Sequence, residues 1–218
     1  MATARAETET PRQRYRAQVQ EEIKQHAWEQ IASAGASALS LNAIAKQMGM
    51  SGPALYRYFA NRDELITALI RDGYESLAAT IREAVAEGAD LRGLAQALRT
   101  WALEDPQRYL LIYGTPVPGY QAPEDTTRLA SEVMTALLNA SSGEGLGALP
   151  ESPLQTHLAE HNVWAGAHTD EPQTLHRALI LWTRLHGVLS LEVAGHFAGM
   201  EFDPAVLYAA EVGAIAGS

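Results

Sequence analysis

Residues 41–65, LNAIAKQMGMSGPALYRYFANRDEL, decide the fold. Ser40 just before them is a good N-cap for a short helix carrying Leu41, Ile44, Ala45 and Met48 on one face. Gly49 closes that helix, at a point where a left-handed residue is favoured. Ser51 or Gly52 caps a second helix with Pro53 in its first turn, where the missing N–H costs nothing. In that second helix Leu55 and Phe59, four apart, face inward and leave Ala54, Arg57 and Tyr58 outward. Ala45 is small enough to let the two helices approach closely. Two short helices, Leu41–Met48 and Pro53–Phe59, joined by a glycine turn and braced by a preceding helix, form a helix-turn-helix. A recognition helix needs that division of faces, because its exposed N-terminal half enters the major groove.

Helical periodicity continues on both sides. From about Tyr15 the series Val19, Ile23, Ala27 and Ile31, with Trp28 beside it, marks a first helix stopped by Gly35. Residues 1–14 carry no pattern and read as a disordered arm. Asn61, followed three residues later by Glu64, suggests a capping box opening a helix through Leu65, Leu69, Leu77 and Ile81. Asp90 caps a helix to about Glu104, and Asp105-Pro106 starts another through Leu111. Pro116, Pro118 and Pro123 make 113–123 an irregular connection. Helices are expected at about 124–140, 154–166 and 172–197, the last as the longest, and from Asp203-Pro204 onward. No stretch alternates like a strand. The expected architecture is all-α. A three-helix DNA-binding head spans 15–60, and a larger helical ligand-binding and dimerisation domain spans 61–218.

Of the 218 residues 47% are hydrophobic and 19% charged, which suits a globular chain and not a disordered one. No apolar run approaches the ~18 residues a bilayer span requires. The polar start of the chain lacks a signal-like apolar stretch, so a cytoplasmic protein without a membrane partner is expected. With no cysteine, thiolate nucleophiles and cysteine zinc sites are excluded. The net charge of −10 is unevenly spread: residues 1–62 hold 8 Lys/Arg and 5 Asp/Glu, residues 63–218 hold 8 and 21. A mildly basic head on an acidic body would orient one end towards phosphates, although an acidic surface kept for solubility explains the body equally well.

The stretch from Leu41 to Leu65, above all Leu55-Tyr56 followed by Tyr58-Phe59, resembles the DNA-binding signature of the tetracycline-repressor (TetR) family. Arg62 stands where that family most often has lysine. Further on, Trp182 with His186-Gly187 and the proline-rich 114–123 resemble a WHG-type ligand domain of actinobacterial members. The resemblance implies a repressor that binds a pseudo-palindromic operator as a homodimer and is released by a small-molecule effector. It places Gly52, Pro53, Ala54, Tyr56 and Arg57 at base edges or the adjacent backbone, and Ser40, Tyr58 and Arg62 at phosphates. Chemistry agrees in part: arginine pairs bidentately with guanine, and Pro53 or Ala54 can meet a thymine methyl. Ordinary packing for Tyr56 and Tyr58, and a solvated Arg57, remain open, as do minor-groove contacts from Arg12, Arg14 and Arg16.

Other patterns compete. His157-Leu-Ala-Glu160-His161 matches H-x-x-E-H, the motif of inverted zinc peptidases, so a helical metal-binding protein or zinc hydrolase is the rival reading. Its third ligand is missing from the pattern, and no catalytic residue, metal or cofactor is expected. Trp101, Tyr109, Tyr113, Tyr120, Trp164, Trp182 and His186 are candidate effector contacts, each also explicable as core or surface. The helix from Pro172 is apolar on two faces and must bury both. With the small Ala209, Ala210, Gly213 and Ala214 it is expected to form a four-helix dimer interface, or else a thick monomer core.

Overall fold

A computed structural model of the chain describes residues 10–114, 124–143, 146, 149–166 and 171–216. All regular structure among them is helical: α1 (Pro11–Ala34), α2 (Leu41–Gln47), α3 (Gly52–Leu55), α4 (Arg62–Ala86), α5 (Leu91–Glu104), α6 (Pro106–Tyr113), α7 (Glu124–Ser141), α8 (Pro153–Glu160), α9 (Pro172–Val193) and α10 (Pro204–Ala216). Single 3₁₀ turns lie at Ala36–Ala38 and Val163–Ala165. The described residues divide into two compact units, 10–69 and 70–216, with the division inside α4 and not at residue 60.

In the first unit α1 buries Val19, Ile23, Ala27 and Ile31, the face its periodicity marks. It packs on α2, and α2 on α3. Ile44, Leu55, Leu65, Ile66 and Leu69 are fully enclosed, each such side chain contributing about 1.5–3 kcal/mol. The arm expected over 1–14 does not extend to 14: residues 11–14 are helical, and 1–9 lie outside the described residues. Thr10 and Gln13 form a capping box, Thr10 N–H donating to Gln13 Oε1 at 2.8 Å, with Pro11 at the first helical position. That box fixes the start where apolar periodicity is absent.

The second recognition element is also shorter than the expected Pro53–Phe59. After Leu55 the chain tightens, with Arg57 N–H donating to the Ala54 carbonyl (3.3 Å) and Tyr58 N–H to that of Leu55 (2.8 Å). Such three-residue turns end the helix and lead into Asn61, whose side chain caps α4 by accepting from Glu64 N–H at 2.8 Å.

In the second unit α9 is the hub, packed against α5, α6, α7, α8 and α10. Leu181, Leu185 and Leu189 join Leu94, Leu98, Trp101 and Tyr109 in the main core. The helix expected over 154–166 is broken into α8 and the 3₁₀ turn. α9 stops at Val193 and not Phe197, because Gly195 adopts φ +77°. The longest helix is α4 with 25 residues, not α9 with 22. Within α4, Gly73 admits Ile112 of α6, whose Cδ1 lies 2.8 Å from where a Cβ would be. No helix among the described residues is long and apolar enough to cross a membrane.

Candidate functional site

The helix-turn-helix is built from its caps outward. Ser40 Oγ accepts from Ala43 N–H (3.3 Å), and its own N–H donates to Gln30 Oε1 of α1 at 3.0 Å. Gly49 supplies the turn with φ +65°. Leu55 and Phe59 are buried. Pro53, Tyr56 and Arg57 are exposed, and Gly52, Ala54 and Tyr58 half-buried. Of the sequence-predicted base-facing residues, Pro53, Tyr56 and Arg57 are therefore open to solvent, and Gly52 and Ala54 partly so.

Two arginines do more than the motif suggests. Arg16 lies in α1 and not in a free arm; its Nη2 donates to the Arg57 carbonyl at 3.0 Å, and its guanidinium sits 5.5 Å over the Tyr58 ring. Gln20 Nε2 donates to the Tyr58 carbonyl at 3.4 Å. Thus α1 props the turn that presents Arg57. Arg62, half-buried, donates through Nη2 to the Ala36 carbonyl at 2.7 Å, tying α4 to the turn before α2. Sequence reasoning missed both ties, because no local pattern connects residues 41 and 26 positions apart.

In the second unit four of the predicted aromatic positions meet. Tyr109 Oη lies 2.9 Å from His186 Nδ1 and 3.0 Å from Ser190 Oγ. Ring centroids separate Tyr113 from His186 by 4.2 Å, and Trp182 from His186 by 4.0 Å. Burial pulls the His186 pKa down to about 4, leaving the imidazole neutral at neutral pH. Burial pushes the Tyr113 hydroxyl well up, with Tyr74 and Tyr109 adding to the shift. His186 Nε2 and Tyr113 Oη are buried without a hydrogen-bond partner. Beside them lies a cavity of about 230 Å³ bordered by Tyr74, Tyr113, Trp164 and Trp182. Trp101 does not line it; its indole N–H donates to Ser76 Oγ at 3.1 Å. Tyr120 lies outside the described residues. Tyr74 was not anticipated.

A larger cavity of about 760 Å³ lies among α4, α5 and α7, lined by Ile81, Val85, Leu94 and Val133. At its edge Arg82 and Arg128 both pair with Glu132, at 2.9 and 2.5 Å. None of the predicted contacts lines it.

His157 and His161 are exposed with their rings stacked 4.1 Å apart. His161 Nδ1 is spent on the His157 carbonyl at 2.9 Å. Among the described residues no group of three His, Asp or Glu is placed to hold a metal, and the zinc-hydrolase reading finds no third ligand among them. On α9 the two expected apolar stripes are turned largely into the chain: Leu175, Leu181, Leu185, Val188 and Leu189 are buried, and Trp182, His186 and Val193 half-buried. The exposed face is a different one, with Thr183, Arg184, Gly187 and Leu191, continued on α10 by Val206, Ala209, Ala210 and Ala214.

Residues 91–215 match the tetracyclin repressor-like C-terminal domain, and residues 23–69 the bacterial regulatory proteins of the tetR family. The chain belongs to the TetR family. A solved regulatory protein, SCO4313, is 60% identical over 96% of this chain and 100% of its own, with a TM-score of 0.88. The HTH-type transcriptional regulator Rv1816 of Mycobacterium tuberculosis is 36% identical over 211 residues, 90% of each chain. FadR from Bacillus subtilis, solved in complex with stearoyl-CoA, shares the fold at 15% identity and TM-score 0.55, covering 90% of this chain and 97% of its own. As a TetR-family helix-turn-helix protein, the chain is a DNA-binding transcriptional regulator.

Proposed function

We propose that this TetR-family regulator is a cytoplasmic repressor that binds a pseudo-palindromic operator as a homodimer and leaves it when a small molecule occupies the second unit. The observation that carries the reading is the outward face of α3 and the turn after it. Pro53, Tyr56 and Arg57 stand exposed over a buried Leu55 and Phe59. Arg57 pairs with guanine, Pro53 and Ala54 meet a thymine methyl, and Tyr56 and Gly52 lie against the adjacent sugar–phosphate. Ser40, Tyr58 and the outer edge of Arg62 hold phosphates. The first unit, through residue 69, serves as the head, and the second, from residue 70, carries sensing and dimerisation.

Two heads reading successive major grooves must lie about 34–36 Å apart. The exposed small-residue face of α9 and α10 is the surface through which two copies would meet. An effector releases DNA only by binding one head spacing better than the other, by about 10⁴-fold to swing the population from 1:99 to 99:1. The aromatic cavity is the effector site this reading favours, since it combines largely apolar walls with Tyr113, whose buried hydroxyl is unpartnered.

Selection of genomic fragments bound by the purified protein tests the proposal. Recovery of one two-fold-symmetric sequence with half-sites one helical turn apart is expected. Enrichment of no sequence over random DNA, or a monomer by light scattering at working concentration, would sink it.

A further inference from the structure

We propose that the aromatic cavity of the second unit is a cage for a small quaternary ammonium cation of the trimethylammonium type. The inference deepens, and rests on, the reading that this unit takes a small molecule. Four rings from four elements border the cavity: Tyr74 on α4, Tyr113 on α6, Trp164 in the 3₁₀ turn and Trp182 on α9. The chain has four tryptophans, so half of them meet here. Adjoining rings stand nearly square to one another, Tyr74 to Tyr113 at 82° and Tyr113 to Trp182 at 76°, with centroids 6.1 and 5.5 Å apart. Rings so arranged make the corner of a box. A planar ligand needs parallel walls, whereas a compact, roughly spherical group fills a corner.

Among the described residues the remaining border is Thr127, Ala130, Ser131 and Met134, without Lys, Arg, Asp or Glu. Among them an ion meets no repelling cation and no carboxylate to pair with. Ring faces carry the negative end of the aromatic quadrupole and attract a cation, each contact being worth roughly 2- to 30-fold in affinity. A quaternary ammonium suits such walls because it has no N–H needing an acceptor. The His186 imidazole behind Tyr113 and Trp182 is neutral at neutral pH and sets no opposing charge against the rings. The excess of acidic residues over 63–218, 21 against 8 basic, favours a cation further. At about 230 Å³ the cavity is smaller than the ~300–1,000 Å³ of drug-sized sites, as a head group requires.

The test is titration of the full-length protein with choline and with 3,3-dimethylbutan-1-ol, its uncharged isostere, followed by tryptophan fluorescence. Choline is expected to bind at least about tenfold more tightly than the alcohol. Trp164 is partly exposed, so its replacement spares the core. Trp164→Leu should lose severalfold in choline affinity and Trp164→Phe should retain most of it. Equal binding of both compounds, or no saturable response to choline below about 10 mM, overturns the cage. Operator affinity is measured separately in the same samples. Choline that binds selectively yet leaves operator affinity unchanged upholds the cage and removes this cavity as the effector site.

Discussion

Replacing Arg57 by alanine separates base reading from phosphate holding. The Arg57 side chain is exposed, and the tie from Arg16 is to its backbone carbonyl, which alanine keeps. The substitution should therefore move folding stability by no more than about 0.5 kcal/mol. A bidentate contact to guanine is worth about 1–3 kcal/mol, so affinity for the selected operator should fall roughly 5- to 150-fold. Affinity for random DNA should fall far less. Arg62→Ala should behave differently on both counts. It deletes a 2.7 Å charge-assisted hydrogen bond to the Ala36 carbonyl, costing stability by about 1–3 kcal/mol. It also weakens all DNA alike, reducing the slope of log K against log salt by about 1. Binding isotherms on operator and random duplexes at several salt concentrations, with urea melts of each variant, give every quantity. If Arg57→Ala lowers operator and random affinity equally, Arg57 is not reading a base and the assignment of α3 is wrong.

Gly52→Ala should leave stability nearly unchanged, since the added methyl would meet only Asn42 Oδ1 at 3.5 Å; a fall in operator affinity of tenfold or more would then measure close approach of DNA at this position, and unaltered affinity would show none. Arg16→Ala removes the prop on the Arg57 carbonyl and should cost operator affinity about 3- to 30-fold, with Arg16→Lys recovering little because it lacks the planar fork; a variant binding like wild type would show that the turn holds itself. Acid sensitivity should trace to His186, which packs against Tyr109, Tyr113 and Trp182. Its folded pKa near 4 lies below the ordinary 6.5, so the unfolded chain takes up a proton the fold refuses. The contribution is whole above pH 6.5 and falls away towards pH 4, by up to about 3 kcal/mol. Urea midpoints at pH 7 and 5 should converge in His186→Gln, apart from a same-signed part from His176; an undiminished difference would clear His186.

The recognition head was readable because its determinants are local. Ser40, Gly49, Pro53 and the Leu55–Phe59 spacing each fix one cap, turn or face within a few residues. Tertiary ties were not readable. Arg16 looks like one more basic residue in a polar leader, and only the fold brings it under Arg57 and Tyr58. Even the start of α1 carried a signal, Thr10-Pro11 with Gln13, that an apolar-period reading passes over. In the second unit the pairs Tyr109/Tyr113 and Trp182/His186 are each four apart and so share a helix face. Their meeting, and the arrival of Tyr74 from α4 and Trp164 from a 3₁₀ turn, depends on packing alone. Trp101 has the same chemistry and goes elsewhere, because Ser76 offers its indole a partner.

The two-faced α9 shows what residue pattern leaves open about a symmetric interface. Apolar stripes report how much of a helix is buried, not which molecule buries it. Neighbours from its own chain pack against α9 and take up most of its large residues. What stays exposed is a face bearing Gly187 and Leu191, beside alanines on α10. It is bordered by the Arg184–Glu211 pair at 3.1 Å, which links the two helices within the chain. Small residues contribute little burial individually, yet they let helix backbones approach closely enough for dispersion contacts to accumulate. In the proposed dimer the seam would therefore lie on this mixed face of small and larger exposed residues, while the strongest hydrophobic signal in α9 points inward.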